Sequence, residues 1–174
     1  MLRKLCLLSS GVAVLALIVG CSSGACPDET EQQNMEVVRR AHAALARGDF
    51  QAFETTIGPN YVRHCQAMPP EQRELHGTEE FFGFLREFLT AVPQYEDSLS
   101  QMMADGDRVA YVSTMKGVQT GPLGDLPATG KEFTLVNIII QRLENGKIVE
   151  TWVSWDNLAF LTQLGLMPPA AEAS

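Results

Sequence analysis

The chain of 174 residues is poor in the features that would tie it to nucleic acid, a metal or a membrane span. It carries 13 Lys and Arg against 21 Asp and Glu, for a formal charge of −8. No basic patch stands out, and phosphate neutralisation dominates nucleic-acid affinity, so nucleic acid is excluded as a partner. The four cysteines form no Cys-x-x-Cys pair, and no His/Cys cluster has zinc spacing, which disfavours a structural metal. No apolar run reaches the roughly 20 residues that a helix needs to cross a bilayer. There is no internal repeat, and no low-complexity segment beyond the two ends.

The longest apolar run, Leu5 to Val19, follows Arg3 and Lys4 and is the layout of a secretory signal. It ends Ile18-Val19-Gly20-Cys21, which resembles the lipobox of bacterial lipoproteins. That resemblance implies cleavage before Cys21 and acylation of its sulfur, with Ser22-Ser23-Gly24 as a polar tether. Two or three acyl chains hold a protein to a bilayer for long times. The expected location is therefore extracytoplasmic and lipid-anchored. In a Gram-negative host, Ser22 rather than Asp directs it to the outer membrane, facing the periplasm. Removing residues 1–20 takes two basic residues away, leaving 11 against 21 acidic ones in 154 residues, one domain by length. Cys26 and Cys65 then stand where disulfides are permitted. They either pair or leave Cys65 as a small buried side chain.

After a tether over 21–28, the domain is expected over 29–168, with a flexible tail over 169–174. Met35, Val38, Ala41 and Leu45 recur at helical spacing between Thr30 and Arg47, and a shorter helix is expected from Phe50 to Ile57. Gly58-Pro59 reads as a break before a short strand, Tyr61–Cys65. Phe81, Phe82, Leu85, Phe88 and Leu89 form one face of a helix with Thr78 as its N-cap and Pro93 as its stop. The chain then turns to strands: Tyr95–Ala104, Arg108–Gln119, Glu132–Leu143 and Lys147–Asp156. Asn145-Gly146 supplies a type I′ turn before the last strand. A final helix is expected over Asn157–Leu164. Helices first and antiparallel strands second is the α+β layout. The segment Val136–Ile140 is apolar on both faces and needs cover on both.

The ordered pieces resemble a known family. His76-Gly77 precedes the Phe-rich helix, and Asp105-Gly106-Asp107 opens a hairpin. A glycine-proline loop runs Thr120-Gly121-Pro122 to Gly130-Lys131, then Gly146-Lys147-Ile148-Val149-Glu150 leads to Trp152 and Trp155-Asp156, and Gln163-Leu164-Gly165 closes the domain. Over about residues 36–168 this is similar to the SnoaL-like polyketide cyclases, or ester cyclases, of the nuclear-transport-factor-2-like superfamily. The resemblance implies a cone of curved antiparallel sheet wrapped by three or four helices around an apolar pocket. It also implies a homodimer through the outer sheet face. The implied chemistry is intramolecular aldol closure without metal or cofactor, with an aspartate at the end of the last strand as acid/base. That position is Asp156 here.

If the last strand is regular, Ile148, Glu150, Trp152, Ser154 and Asp156 share one face, a composition suited to a pocket wall. Burial would raise the Asp156 pKa and improve it as a base, as in ketosteroid isomerase, where an aspartate base performs enolate chemistry. Asp156 is equally a good N-cap for the helix beginning at Asn157. His64 matches a family histidine that contacts substrate oxygen, with a satisfied core histidine as the other reading. Gln119 stands where many members carry histidine; it can orient a carbonyl but cannot titrate near neutrality. Trp152, Tyr111 and Asn137, with Phe133 and Gln141, are candidates to line the pocket or the core. His42 and His76 show no role. Two functions follow: a cofactor-free cyclase or isomerase acting on a small apolar carbonyl compound through Asp156 and His64, or a module that binds an apolar small molecule unchanged. An epoxide hydrolase on the same cone would need an Asp-Arg-Asp arrangement that is not evident.

Overall fold

The computed structural model describes residues 27–167, and the signal, Cys21, Cys26 and the tail over 169–174 lie outside them. The first helix, α1 (Glu29–Ala46), begins at Asp28, whose carboxylate accepts from the Glu31 N–H while Glu31 returns a bond to the Asp28 N–H. This reciprocal capping box fixes where α1 starts. The short α2 (Phe50–Glu54) ends three residues earlier than the sequence suggests, and strand β1 (Ile57–Cys65) runs straight through Gly58-Pro59. Gly58 is required there because a Cβ would come within 2.8 Å of the Val149 side chain. After β2 (Glu74–His76), α3 (Gly77–Ala91) starts one residue before Thr78, and the Glu80 carboxylate accepts from the His76 N–H.

Four long strands follow: β3 (Tyr95–Asp105), β4 (Arg108–Val118), β5 (Glu132–Glu144) and β6 (Lys147–Ser154), then α4 (Asn157–Gln163). Asn145 and Gly146, at φ 51° and 72°, form the expected tight turn. The strands build one curved sheet in the order β2-β1-β6-β5-β4-β3. All pairings are antiparallel except β1 with β6, which is parallel, so the sheet is mixed rather than purely antiparallel.

One irregularity decides which side chains face inward. Arg142 pairs with Glu150 but Leu143 pairs with Ile148, so Val149 is an extra residue in β6. Such a bulge shifts the alternation by one. Ile148 is buried before it, and Thr151 and Val153 are buried after it. Glu150, Trp152 and Ser154 therefore point outward, opposite to the regular-strand expectation.

The helices cover the concave face. Phe53, Tyr61, Phe81, Phe82 and Leu85 pack with Val38, Val109 and Ile148 in the main core. Rings stand 4.6 Å apart for Tyr61–Phe81 and 5.9 Å for Phe53–Phe82, pairs worth about 0.5–1.5 kcal/mol beyond their area. A second cluster joins α4 to the sheet through Phe133 and Phe160, ring centroids 5.1 Å apart and perpendicular.

Candidate functional site

The concave face and α1, α3 and α4 enclose a cavity of about 430 Å³. Its wall is mainly apolar, with Leu85, Phe88, Leu135, Ile139, Val153 and Phe160 on it. A larger recess of about 940 Å³ lies at the sheet end, but Arg47, Gln94, Lys116, Glu132 and Gln163 line it and are all exposed, so it is a solvent-facing groove. The cavity on the concave face is the more enclosed of the two and is the one that can desolvate a ligand.

Its polar groups form two sets. At the β3–β4 side, His42 Nε2 lies 2.9 Å from Asp97 Oδ2, with both side chains largely buried. The approach is close but off-axis, so Nε2 makes no aligned hydrogen bond. The Ser113 hydroxyl donates to the other Asp97 oxygen at 2.6 Å, and Asn137 Nδ2 reaches Ser113 Oγ at 3.4 Å. His42, Ser113 and Asn137 line the cavity, whereas Asp97 stands behind them. At the opposite side, Arg63 on β1, Thr151 on β6 and Gln141 on β5 form one cross-strand row. Gln141 Nε2 donates to Thr151 Oγ1 at 3.3 Å. Among the described residues, the buried side-chain polar atoms without a protein partner are His42 Nε2, Arg63 Nη1 and Gln141 Oε1. All three residues line this cavity.

The phenols beside them stay protonated. Burial pushes Tyr61 up to about 12, against the smaller lowering effects of the Thr151 hydrogen bond and the Arg63 charge. Tyr95 rises to about 12 through burial and then the Asp97 charge, and its hydroxyl donates to the Leu45 carbonyl at 3.2 Å. Tyr111 is raised further, again chiefly by burial. At neutral pH these groups are donors, not bases.

Of the residues singled out in the sequence, Tyr111, Asn137 and Gln141 line the cavity. Asp156 does not: it is exposed, and its carboxylate accepts from the Ala159 N–H at 2.9 Å as the N-cap of α4. His64 lies on the convex face, stacked on Trp152 with centroids 5.3 Å apart. Its nitrogens meet Glu74 at 3.2 Å and Glu150 at 2.9 Å. Gln119 is fully buried but clamps the glycine-proline loop, donating to the Pro127 carbonyl and accepting from the Thr129 hydroxyl. Cys65 is buried at the end of β1, and its pairing with Cys26 concerns a residue outside those described.

His42, Asp97 and Arg63 carried no weight in the sequence. A signal existed for two of them. Arg63 alternates with Tyr61 and Cys65, residue types that favour burial, and Asp97 alternates with Tyr95 and Leu99. His42 lies beside Ala41 and four residues after Val38, on the edge of the apolar face of α1.

A family model described as SnoaL-like polyketide cyclase matches residues 35–164. Comparison with curated proteins gives no match. Among solved structures, a SnoaL-like protein from Jannaschia sp. CCS1 is 22% identical with a TM-score of 0.74, covering 83% of this chain and 100% of its own. IdmH from Streptomyces antibioticus is 26% identical with a TM-score of 0.64, covering 76% of this chain and 99% of its own. TsrD from Streptomyces laurentii is 24% identical with a TM-score of 0.68, covering 82% and 100%. The glycine-proline loop, the Trp-containing last strand and the Gln-Leu-Gly close all fall at or inside the matched span, over a curved sheet with a walled cavity. The chain belongs to the SnoaL-like polyketide cyclase family.

Proposed function

We propose that this is a lipid-anchored, extracytoplasmic domain that moves a proton on a small apolar carbonyl compound, with His42 as the base and Asp97 as its positioning residue. The observation that carries this reading is the imidazole lying 2.9 Å from a largely buried carboxylate at the wall of an apolar cavity. With Nε2 against Asp97, Nδ1 is the ring nitrogen left for a ligand. Nδ1 takes a proton from the carbon next to a carbonyl, and the C–H electron pair moves onto the carbonyl oxygen as an enolate. Asp97 stabilises the imidazolium that forms. Tyr111 and Asn137 are the donors that meet the enolate oxygen. The enolate carbon then attacks a second carbonyl of the same molecule, closing a ring, and His42 returns its proton to the new alkoxide. A placed base of this kind contributes about 10²–10⁴-fold.

The test is solvent deuterium incorporation into α-tetralone, followed by NMR. Catalysed exchange lost in His42→Gln supports the base; exchange unchanged in that variant refutes it. A binding module is the second reading, favoured by the exposed, capping position of Asp156, which matches the family's acid/base residue. Tight binding of α-tetralone with no exchange in the wild type selects that reading.

Two further parts complete the proposal. The chain hangs from acylated Cys21 through the tether, and Cys21→Ser is expected to release it from membranes; unchanged retention contradicts the anchor. The convex face takes a second copy of the chain. Support comes from Val136, Ile138 and Ile140, exposed at 52%, 64% and 39% in the middle of the sheet.

A further inference from the structure

Arg63 is a cation in the wrong place for a purely apolar ligand. Its side chain is more than nine-tenths buried, on the wall of the cavity. A guanidinium is always charged. Buried arginines are almost always paired, because an uncompensated charge in an apolar setting is costly. Among the described residues Arg63 has no ion-pair partner, and its Nη1 has no hydrogen-bond acceptor. Its guanidinium carbon lies over the face of Phe84, 4.6 Å from the ring centroid, and its charge also acts on the neutral Tyr61 phenol, which supplies no counter-charge. A cation–π contact offsets part of the desolvation and satisfies none of the N–H donors.

The rest of the row points the same way. Gln141, two strands away through Thr151, has Oε1 unpartnered and Nε2 bonded to the Thr151 hydroxyl. A hydroxyl both donates and accepts, so turning the amide over keeps the Thr151 bond and presents a free NH₂ to the cavity instead. One wall of the chamber then offers a guanidinium fork and an amide donor, with apolar surface around them.

Resting on the reading of the cavity as a ligand site, we infer that its ligand carries a single carboxylate that pairs with Arg63, on an otherwise apolar body. The planar fork matches a carboxylate in bidentate fashion. A dianionic phosphate fits less well, since one guanidinium leaves a negative charge uncompensated in an apolar chamber. The exposed Glu71, Glu87 and Asp125 at the lining's edge repel any anion, and a dianion about twice as strongly as a monoanion. The carbonyl to be enolised then lies toward His42, across the concave face from the acid group.

The experiment compares decanoic acid with 1-decanol, using the chain carrying Cys21→Ser at about pH 8, where the acid is ionised. Trp155 lines the cavity, so quenching of its fluorescence reads occupancy, with calorimetry as a second readout. The wild-type pocket is expected to bind the acid about tenfold or more tightly than the alcohol. Arg63→Met, close in volume, is expected to lose that preference while keeping alcohol binding, and Arg63→Lys to retain part of it. Equal binding of acid and alcohol by the wild type overturns the inference alone, without any variant. A preference that survives in Arg63→Met also overturns it. Binding of neither probe overturns the cavity reading and the inference together.

Discussion

The two faces of the one sheet are unsatisfied in opposite ways. On the concave face the apolar side chains are packed, and two polar atoms, on Arg63 and Gln141, lack partners, while His42 Nε2 lies against Asp97 without an aligned hydrogen bond. On the convex face the polar groups are paired: His64 bridges Glu74 and Glu150, and Arg142 donates to Glu150 and to Glu144. There it is the aliphatic side chains, Val136, Ile138 and Ile140, that lack cover. Unpaired polar atoms inside a cavity ask for a small molecule with matching groups. Uncovered aliphatics on a flat strand face ask for another protein surface. On the proposed reading, a single sheet separates a chemical site from an association surface, with side chains one position apart facing opposite ways.

That contrast is easiest to break on β5. Leu135→Asp places a carboxylate in the buried inner layer and is expected to cost more than about 4 kcal/mol, enough to unfold the domain in urea titrations. Ile138→Asp, three residues on and facing out, is expected to leave a folded monomer and abolish self-association in sedimentation. A dimer that survives Ile138→Asp places the association surface elsewhere. A smaller contrast sets Asn137→Leu against His64→Gln. Losing one enolate donor should lower deuterium exchange about 100-fold, while the convex-face change should alter it less than about twofold.

Asp156→Ala removes the N-cap of α4, and thermal unfolding is expected to show a loss of about 1 kcal/mol. The smallest effect belongs to Glu150. Burial raises its carboxyl pKa, but the bonds from His64 and Arg142 outweigh that and hold it below the ordinary value. A depressed carboxylate stabilises the fold above its unfolded pKa and loses that contribution as pH falls through the folded one. Wild type should therefore lose on the order of 0.5 kcal/mol below about pH 4.5 that Glu150→Gln does not. Identical acid limbs for the two proteins would show that the network adds nothing.

Much of the fold was legible because its signals are local. The helix faces, the Asn145-Gly146 turn and the long strands follow from spacing and turn chemistry. The site was less legible because it depends on parity. Counting by twos along β6 from Ile148 puts Asp156 and Trp152 with the buried residue, and the bulge at Val149 reverses that assignment. The bulge is itself a tertiary event, with Val149 seated against Gly58, in a stretch of β1 that local turn signals read as a break before the strand. On β1, alternation with Tyr61 and Cys65 would have favoured Arg63 over His64, but the family pattern drew attention to the histidine. His42 could be weighed only once β3 had brought Asp97 beneath it.

The most direct test of the central claim compares Asp97→Asn with Asp156→Asn in the α-tetralone exchange assay. Asp97→Asn leaves the shape intact but removes the charge that holds His42 and steadies its imidazolium. It is expected to lower catalysed exchange about 100-fold, with Asp156→Asn within about twofold of wild type. The reverse result, exchange lost in Asp156→Asn and kept in Asp97→Asn, would return the chemistry to the end of the last strand and contradict the account.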